Sequence, residues 1–409
     1  MGPLAGVRVL DLSRILAGPW ATQVLADLGA EVIKIEKPGV GDDTRHWGPP
    51  WLTDAAGAPT SESAYFLCAN RGKRSLAIDL TQTRGADLIR ALARDSAIVV
   101  ENFKVGGLAK YGLDYPSLAA LNPALVYCSI TGYGQTGPHA QRAGYDAAIQ
   151  AEAGLMSITG EAEGLPGAGP QKVGVAVADL MTGMYAATGI IAALRHAEQS
   201  ARGQHLDLSL FDTQVAWLAN QAMNFLVGGV VPQRQGSSHP NIVPYQVMPA
   251  ADGHFMLACG NDAQFRRLLQ TLGEPALADD PRFASNAARV AHRALLVTLL
   301  EAHFLRQPIA HWLTALEAAK VPAAAVNRID QVFADPQIEA HRLRIDLAHP
   351  LAGTVPLVAN PIRYSETAIS YALPPPLLGQ HTRQVLGERL GLDAATLDAL
   401  VRDGVIAQA

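Results

Sequence analysis

One acidic residue stands alone in a long apolar stretch. From Val173 to Leu194 the sequence VGVAVADLMTGMYAATGIIAAL holds Asp179 as its only charged side chain. A carboxylate in that setting can accept hydrogen bonds from the free N–H groups at a helix start. By local pattern alone, an Asp directly before Leu180 to Leu194 reads as a helix N-cap, where the helix dipole keeps it charged and so leaves it able to do chemistry as well.

Other chemistries lack their parts. The first turn that could cradle a dinucleotide reads Ser13-Arg14-Ile15-Leu16-Ala17-Gly18-Pro19. It carries one glycine where a pyrophosphate-binding turn needs three, although Glu36 stands at a strand end where a ribose-binding acid would. Phosphate-binding loops of the Gly-x-x-x-x-Gly-Lys-Ser/Thr type, His-Glu-x-x-His and Gly-x-Ser-x-Gly are all missing. Cys68, Cys128 and Cys259 are odd in number and far apart. That spacing indicates neither a disulfide framework nor a zinc site, so no metal is expected.

The elements that must position Asp179 are legible as an alternation. β-branched runs occur at Val7 to Leu12, Glu31 to Glu36, Ser75 to Leu80, Ala97 to Glu101 and Leu125 to Ile130, with helical patterns such as Trp20 to Leu28 and Arg84 to Ala93 between them. Strands alternating with helices imply βαβ units and a mostly parallel sheet, whose ligands lie beyond the carboxyl ends of the strands. Val173 to Leu194 is long enough to approach a membrane span, but Ala, Gly and the interrupting Asp179 favour a buried core helix. A glycine- and proline-rich loop, Leu155 to Gln171, precedes it. A strand at Leu206 to Asp212 and a long uncharged helix from Thr213 follow.

After about residue 228 the pattern changes. A strand pair around Tyr245–Val247 and His254–Ala258, then helices at Asp262 to Leu272, Asn286 to Leu305 and Ile309 to Lys320, describe a smaller α+β domain. The expected organisation is a large Rossmann-like α/β domain over 1–200, a linker helix over 201–225, the small domain over 226–329, and a return segment over 330–409. Pro374-Pro375-Pro376 delays any long helix in that segment to Thr382.

With 32 basic and 37 acidic side chains the formal charge is −5, so no basic field exists to hold nucleic acid or an anionic membrane. Charged residues are 17% of the chain, below the ~25% of an average soluble protein, which suits extra burial in an oligomer. The cysteine usage and the opening residues, which show no basic stretch before an apolar run, set cytoplasmic residence as the expectation.

Several long motifs, in order, resemble the class III CoA-transferases. They are LDLSRILAGPWATQVLADLGAEVIKIEKPGVGDDTRHWGPP, NRGKRSLAIDL, VENFKVGGLAKYGLDY, CSITGYGQTGPHAQRAGYDA, VADLMTG, SSHPNIVPYQ and PPPLLGQHT. Within that family the chain is most similar to the dicarboxylate, succinyl-CoA:glutarate, branch. The resemblance implies a Rossmann-like fold, an interlocked homodimer, and acyl-CoA and a small carboxylic acid as partners. It implies a CoA thioester as substrate and no permanently bound cofactor.

It also implies roles for residues. VADLMTG places the family's carboxylate nucleophile at Asp179. Ile15, Leu16 and Ala17 after the first strand, Lys37, and Asn102, Phe103 and Lys104 after the fourth are the implied CoA contacts, with Lys110, Lys73 and Arg74 as further cations for its phosphates. Lys37 keeps charge but lacks the bidentate fork of the Arg seen in relatives. Tyr145 and Asp146 border the implied acyl site, and the distal carboxylate of a dicarboxylate needs a cation or donor from Arg14, Arg45, His46 or His239. The racemases of the same superfamily carry a His where this chain has Tyr145, and a glycine run where it has Leu180-Met181-Thr182. Racemisation is the alternative chemistry, and a CoA-binding protein without turnover is the alternative class.

Overall fold

The computed structural model describes residues 2–408. Up to residue 228 the chain carries β1 (Arg8–Asp11), α1 (Ala17–Asp27), β2 (Glu31–Glu36), the hairpin β3 (Trp51–Thr53) and β4 (Pro59–Ser63), α2 (Ala64–Leu67), β5 (Lys73–Ile78), α3 (Thr83–Arg94), β6 (Ile98–Glu101) and α4 (Tyr115–Leu121). There follow β7 (Val126–Thr131), α5 (Asp146–Glu152), α6 (Leu155–Ile158), α7 (Val177–Ser200), β8 (Gln204–Ser209), α8 (Leu210–Ala216) and α9 (Ala219–Gly228). Next come β9 (Tyr245–Ala250), β10 (Gly253–Ala258), α10 (Asp262–Leu272), α11 (Asn286–Ala291), α12 (Arg293–Phe304), α13 (Ile309–Ala318), β11 (Ala323–Ala325) and α14 (Ile329–Phe333). The chain closes with α15 (Pro336–Ala340), β12 (Arg344–His349), β13 (Gly353–Val358), α16 (Thr382–Leu390), α17 (Ala394–Arg402) and β14 (Ile406–Ala407).

These elements form two compact units. The first comprises Met1–Leu155, Val173–Met223 and Gln337–Ala409, and the second Met156–Lys172 and Asn224–Pro336. The glycine-rich segment after α5 therefore groups with the second unit.

A seven-stranded sheet of order β14-β5-β2-β1-β6-β7-β8 forms the centre of the first unit. Every pairing is parallel except that of β14 at the edge. Successive side chains of a strand point to opposite faces, and here both faces are apolar. Val9, Val32, Ile98 and Val126 pack with α1 and α7 on one side. Leu10, Ile33, Leu76 and Val99 pack with α3, α4, α16 and α17 on the other. Burial on both faces is why these strands read as β-branched runs. In the second unit β9, β10 and β11 form an antiparallel sheet over Phe255, Phe265, Leu296 and Phe304.

Three sequence expectations change. The long helix from Thr213 is two helices, α8 starting already at Leu210 behind the Ser209 cap and the break falling before Ala219, whose φ is 46°. The helix expected at Asn286 to Leu305 breaks at His292, whose φ and ψ of −112° and 27° are not helical. The tail also contains the hairpin β12–β13, an alternating pattern overlooked among the prolines.

α7 is apolar and long enough to cross a membrane by length and composition, and half of its apolar window is buried in the protein. It packs on α1 through small residues. A Cβ on Gly183 would stand 2.7 Å from the Ala17 carbonyl oxygen and 3.1 Å from the Trp20 side chain. Gly183→Ala is therefore expected to cost about 1–3 kcal/mol by overpacking, and to push the start of α1 outward. Urea unfolding checks the stability; an unchanged midpoint would contradict this packing.

Candidate active site

The topology decides where a ligand can sit. From β1 the chain builds outward through β2 and β5, then returns to build β6, β7 and β8 on the other side. The loops leaving the carboxyl ends of β1 and β6 therefore diverge and open a crevice between them. A cleft of about 180 Å³ occupies that place, lined by Ile15 to Ala17 after β1, Asn102 to Val105 after β6, the end of β7, the loop from Ala140 to Asp146, and Asp179.

α7 begins at Val177, so Asp179 is the third residue of the helix and not its cap. The cap is supplied from α5. Asp146 Oδ1 accepts the N–H groups of Ala178 at 2.8 Å and Asp179 at 3.3 Å, while its Oδ2 accepts from the Gln150 amide at 2.7 Å. Gln150 in turn accepts the Val173 N–H at 2.9 Å. The Asp179 carboxylate is thereby left unspent: among the described residues no group donates a hydrogen bond to it. Two glycines make this possible. Gly132 and Gly144 lie back to back, a Cβ on Gly132 falling 2.6 Å from the Gly144 Cα, which lets the loop before α5 close onto the end of β7.

Asp179 is 9% exposed. Burial first, and then the neighbouring Asp146 charge, push its carboxyl up to about 7. A nucleophile must be ionised, so turnover that uses Asp179 rises with pH through that value. Asp146→Asn removes the like charge and is expected to move the acid limb of the kcat/KM profile to lower pH by about half a unit or more. It also weakens the cap of α7. A profile that stays in place would separate Asp146 from the ionisation of Asp179.

Of the implied CoA contacts, Ile15, Leu16, Ala17, Asn102, Phe103 and Lys104 all line the cleft. The Asn102 side chain is committed to the turn after β1: it accepts the Arg14 N–H at 2.9 Å and donates to the Arg14 carbonyl at 2.7 Å. Arg14 pairs with Asp43 at 2.8 Å and lies 5.8 Å from the Phe103 ring centre. Lys37 and Lys110 are exposed and do not line this cleft; Lys110 Nζ rests over the Tyr111 ring. Tyr145, 67% exposed, stands on the rim beside Asp146.

Other sequence candidates are not among the residues that line this cleft. Arg45 is buried, with bonds of 2.8 and 2.9 Å to Glu36 and one of 3.2 Å to Glu62, over the Phe66 ring. Its guanidinium is held by these internal partners and does not line the cleft. Lys73 is sealed on Asp11, Asn70 and the Pro19 carbonyl, and burial pulls its ammonium down to about 8. Arg74 pairs with Glu388 and Glu31. His46 contacts the Val40 carbonyl at 2.9 Å. His239 belongs to the second unit, where its ring packs on Tyr245 and its Nδ1 accepts the Asn241 N–H.

Two residues were missed. Arg142 lines the cleft and is ion-paired with Glu152, which also accepts from the Tyr133 hydroxyl. Tyr65 on α2 feels the Asp179 and Asp146 charges; burial, then Asp179, push its phenol up to about 12. Arg142 stood within a quoted motif, three residues before Tyr145, which was the signal that could have found it; Tyr65 had none, because Asp146 and Asp179 reach it from distant segments. Among the described residues no group of three or more His, Cys, Asp or Glu side chains could hold a metal ion.

A parallel-dominated sheet with a cleft at its switch point, lined by a carboxylate that accepts no hydrogen bond among the described residues, defines an α/β protein with a candidate ligand site at the carboxyl ends of its strands. Residues 4–382 match the model of CoA-transferase family III, and the chain belongs to that family and is one of its enzymes. It is 53% identical over 386 residues to the succinate–glutarate CoA-transferase of Agrobacterium fabrum, covering 94% of this chain and 95% of the relative. It is 42% identical to the human succinyl-CoA:glutarate CoA-transferase, covering 99% and 90% of the two chains. The crystal structure of a CAIB/BAIF family protein from Brucella suis superposes with a TM-score of 0.82 at 48% identity, over 95% of this chain and 99% of that one.

Proposed function

We propose that this enzyme moves CoA from succinyl-CoA to glutarate, with Asp179 as the covalent carrier. The observation that carries the reading is the buried Asp179 carboxylate, unspent in hydrogen bonds and open to the cleft, in a chain so similar to the succinate–glutarate and succinyl-CoA:glutarate CoA-transferases. An Asp179 oxygen attacks the thioester carbonyl and the C–S bond breaks, leaving a succinyl–aspartyl anhydride and CoA thiolate. The thiolate attacks the Asp179 carbonyl and succinate departs, giving an aspartyl–CoA thioester. Glutarate then attacks that carbonyl, thiolate leaves, and the thiolate returns to the glutaryl carbonyl to release glutaryl-CoA and free Asp179. No atom changes oxidation state, and each hard exchange is divided into easier ones.

The Ile15–Ala17 turn and Phe103 supply the wall on which CoA lies, with Arg14 and Lys104 as cations for its phosphates. Tyr145 on the rim borders the acyl group. We further propose that two chains work as an interlocked homodimer in the cytoplasm. Apolar side chains left exposed, among them Met223, Phe225, Leu226 and Val227, support an oligomer, since contiguous exposed apolar surface marks association.

The experiment incubates the protein with succinyl-CoA and follows glutaryl-CoA on adding glutarate, with hydroxylamine trapping and peptide mass mapping in parallel. Glutaryl-CoA and a hydroxamate at Asp179 are the expected results. Tight CoA binding with neither product would overturn the transferase reading for these substrates.

A further inference from the structure

The turn that walls the cleft is held in a conformation its own sequence disfavours. Ile15 has a φ of 71°, the left-handed region, where a β-branched side chain is an outlier that persists only when its surroundings over-determine it. The restraints are visible. Asp42 Oδ1 accepts the Ile15 N–H at 3.2 Å. Lys34 Nζ donates to the Ser13 carbonyl at 2.8 Å and to Asp42 Oδ2 at 2.9 Å. One ammonium thus bridges the residue two before Ile15 to the carboxylate that holds Ile15 itself.

Both charged side chains are 0% exposed, and both come from outside the turn. Lys34 projects from β2, and Asp42 precedes a short helical turn whose Thr44 N–H and hydroxyl it also accepts, at 3.0 and 2.8 Å. The Asp42 carboxylate is thereby oriented from several sides. Neither residue lines the cleft, so neither is placed to touch a substrate.

We propose that Asp42 and Lys34 are positioning residues for the transfer reaction: they hold Ile15 in the left-handed conformation and so give the Ile15–Ala17 wall the shape that accepts acyl-CoA. The inference rests on the proposed CoA site. A buried ion pair that merely stabilised the fold would affect unfolding and leave substrate affinity alone.

The test begins with CoA binding to the wild-type protein by calorimetry, followed by steady-state kinetics of Asp42→Ala, Asp42→Asn, Ile15→Gly and the double variant Asp42→Ala with Ile15→Gly. Asp42→Ala is expected to raise KM for succinyl-CoA about 30-fold with kcat changed less than about 3-fold, and Asp42→Asn, which keeps an acceptor for the Ile15 N–H, to raise it about 5- to 10-fold. Glycine adopts positive φ without steric cost, so Ile15→Gly is expected to return the double variant to within about 3-fold of Ile15→Gly alone. If Asp42→Ala does not fold, Asp42→Asn and Ile15→Gly carry the same comparison. Folded variants with lowered melting temperature but unchanged KM would overturn the inference alone, as would a double variant with no rescue. A wild-type protein that does not bind CoA would overturn the CoA reading and this inference with it.

Discussion

Asp179→Asn is expected to abolish CoA transfer to glutarate, by at least about 10⁴-fold in kcat, while the protein still folds and still binds CoA. The loss is large because an amide cannot form the anhydride, and among the described residues no other carboxylate stands free in the cleft: Asp146 is spent on the Ala178 and Asp179 N–H groups and on Gln150. The fold survives because Asp179 is not the cap of α7. Stability follows a defined sign. The folded protein holds the Asp179 carboxyl up at about 7, above its unfolded value, so the contribution it makes when protonated is full at low pH and is lost as pH rises through about 7. Relative to wild type, Asp179→Asn is therefore expected to be more stable at pH 8 than at pH 4. Thermal unfolding at the two pH values, calorimetry with CoA and the glutaryl-CoA assay check the three parts. Retained turnover would remove Asp179 from the mechanism.

Arg45→Met is expected to lower stability by about 3–5 kcal/mol at neutral pH, because it leaves two buried carboxylates without their cation. Arg45 holds Glu36 and Glu62 and also donates to the Pro376 carbonyl at 3.0 Å, tying the tail to the carboxyl end of β2. Burial pushes the Glu36 carboxyl up, but the Arg45 hydrogen bonds and charge, Lys34 and Ser75 outweigh it and leave Glu36 below the usual carboxylate range. A depressed carboxyl contributes stability above its unfolded value and loses it as pH falls through the folded one. The deficit of Arg45→Met should thus be greatest at neutral pH and shrink towards pH 4, because in the variant Glu36 and Glu62, buried without the Arg45 charge, take up protons more readily than in wild type. Urea titrations at both pH values measure it. A variant as stable as wild type with a raised KM for glutarate would return Arg45 to the role of substrate cation.

The buried charges show where sequence reading runs short. Arg45, Lys73 and Lys34 look like solvent-seeking cations in a one-dimensional string, and a polyanionic substrate offers each an obvious partner. Their acids, Glu36, Glu62, Asp11 and Asp42, come from other strands and loops. The stacking of β1, β2 and β5 brings Lys73 to Asp11, while the loop after β2 folds back to set Asp42 on Lys34 and Arg45 on Glu36, and β4 adds Glu62, all sealed from water. The same holds for Asp146, whose place beside Tyr145 marked it as a neighbour of the acyl group but could not disclose that it caps a helix starting 31 residues later.

By itself the sequence determined the alternation of strands and helices, because hydrophobic period and β-branching are local properties that survive any tertiary arrangement. It determined the family, through ordered motifs spanning most of the chain, and it singled out Asp179, a lone charge whose burial has to be compensated or used. Only the tertiary structure shows that this burial is not compensated. Asp146 takes over the helix start from a distant turn, so the Asp179 carboxylate stays unspent at the switch point of the sheet, and its protonation is set by burial and by a neighbour 33 residues away.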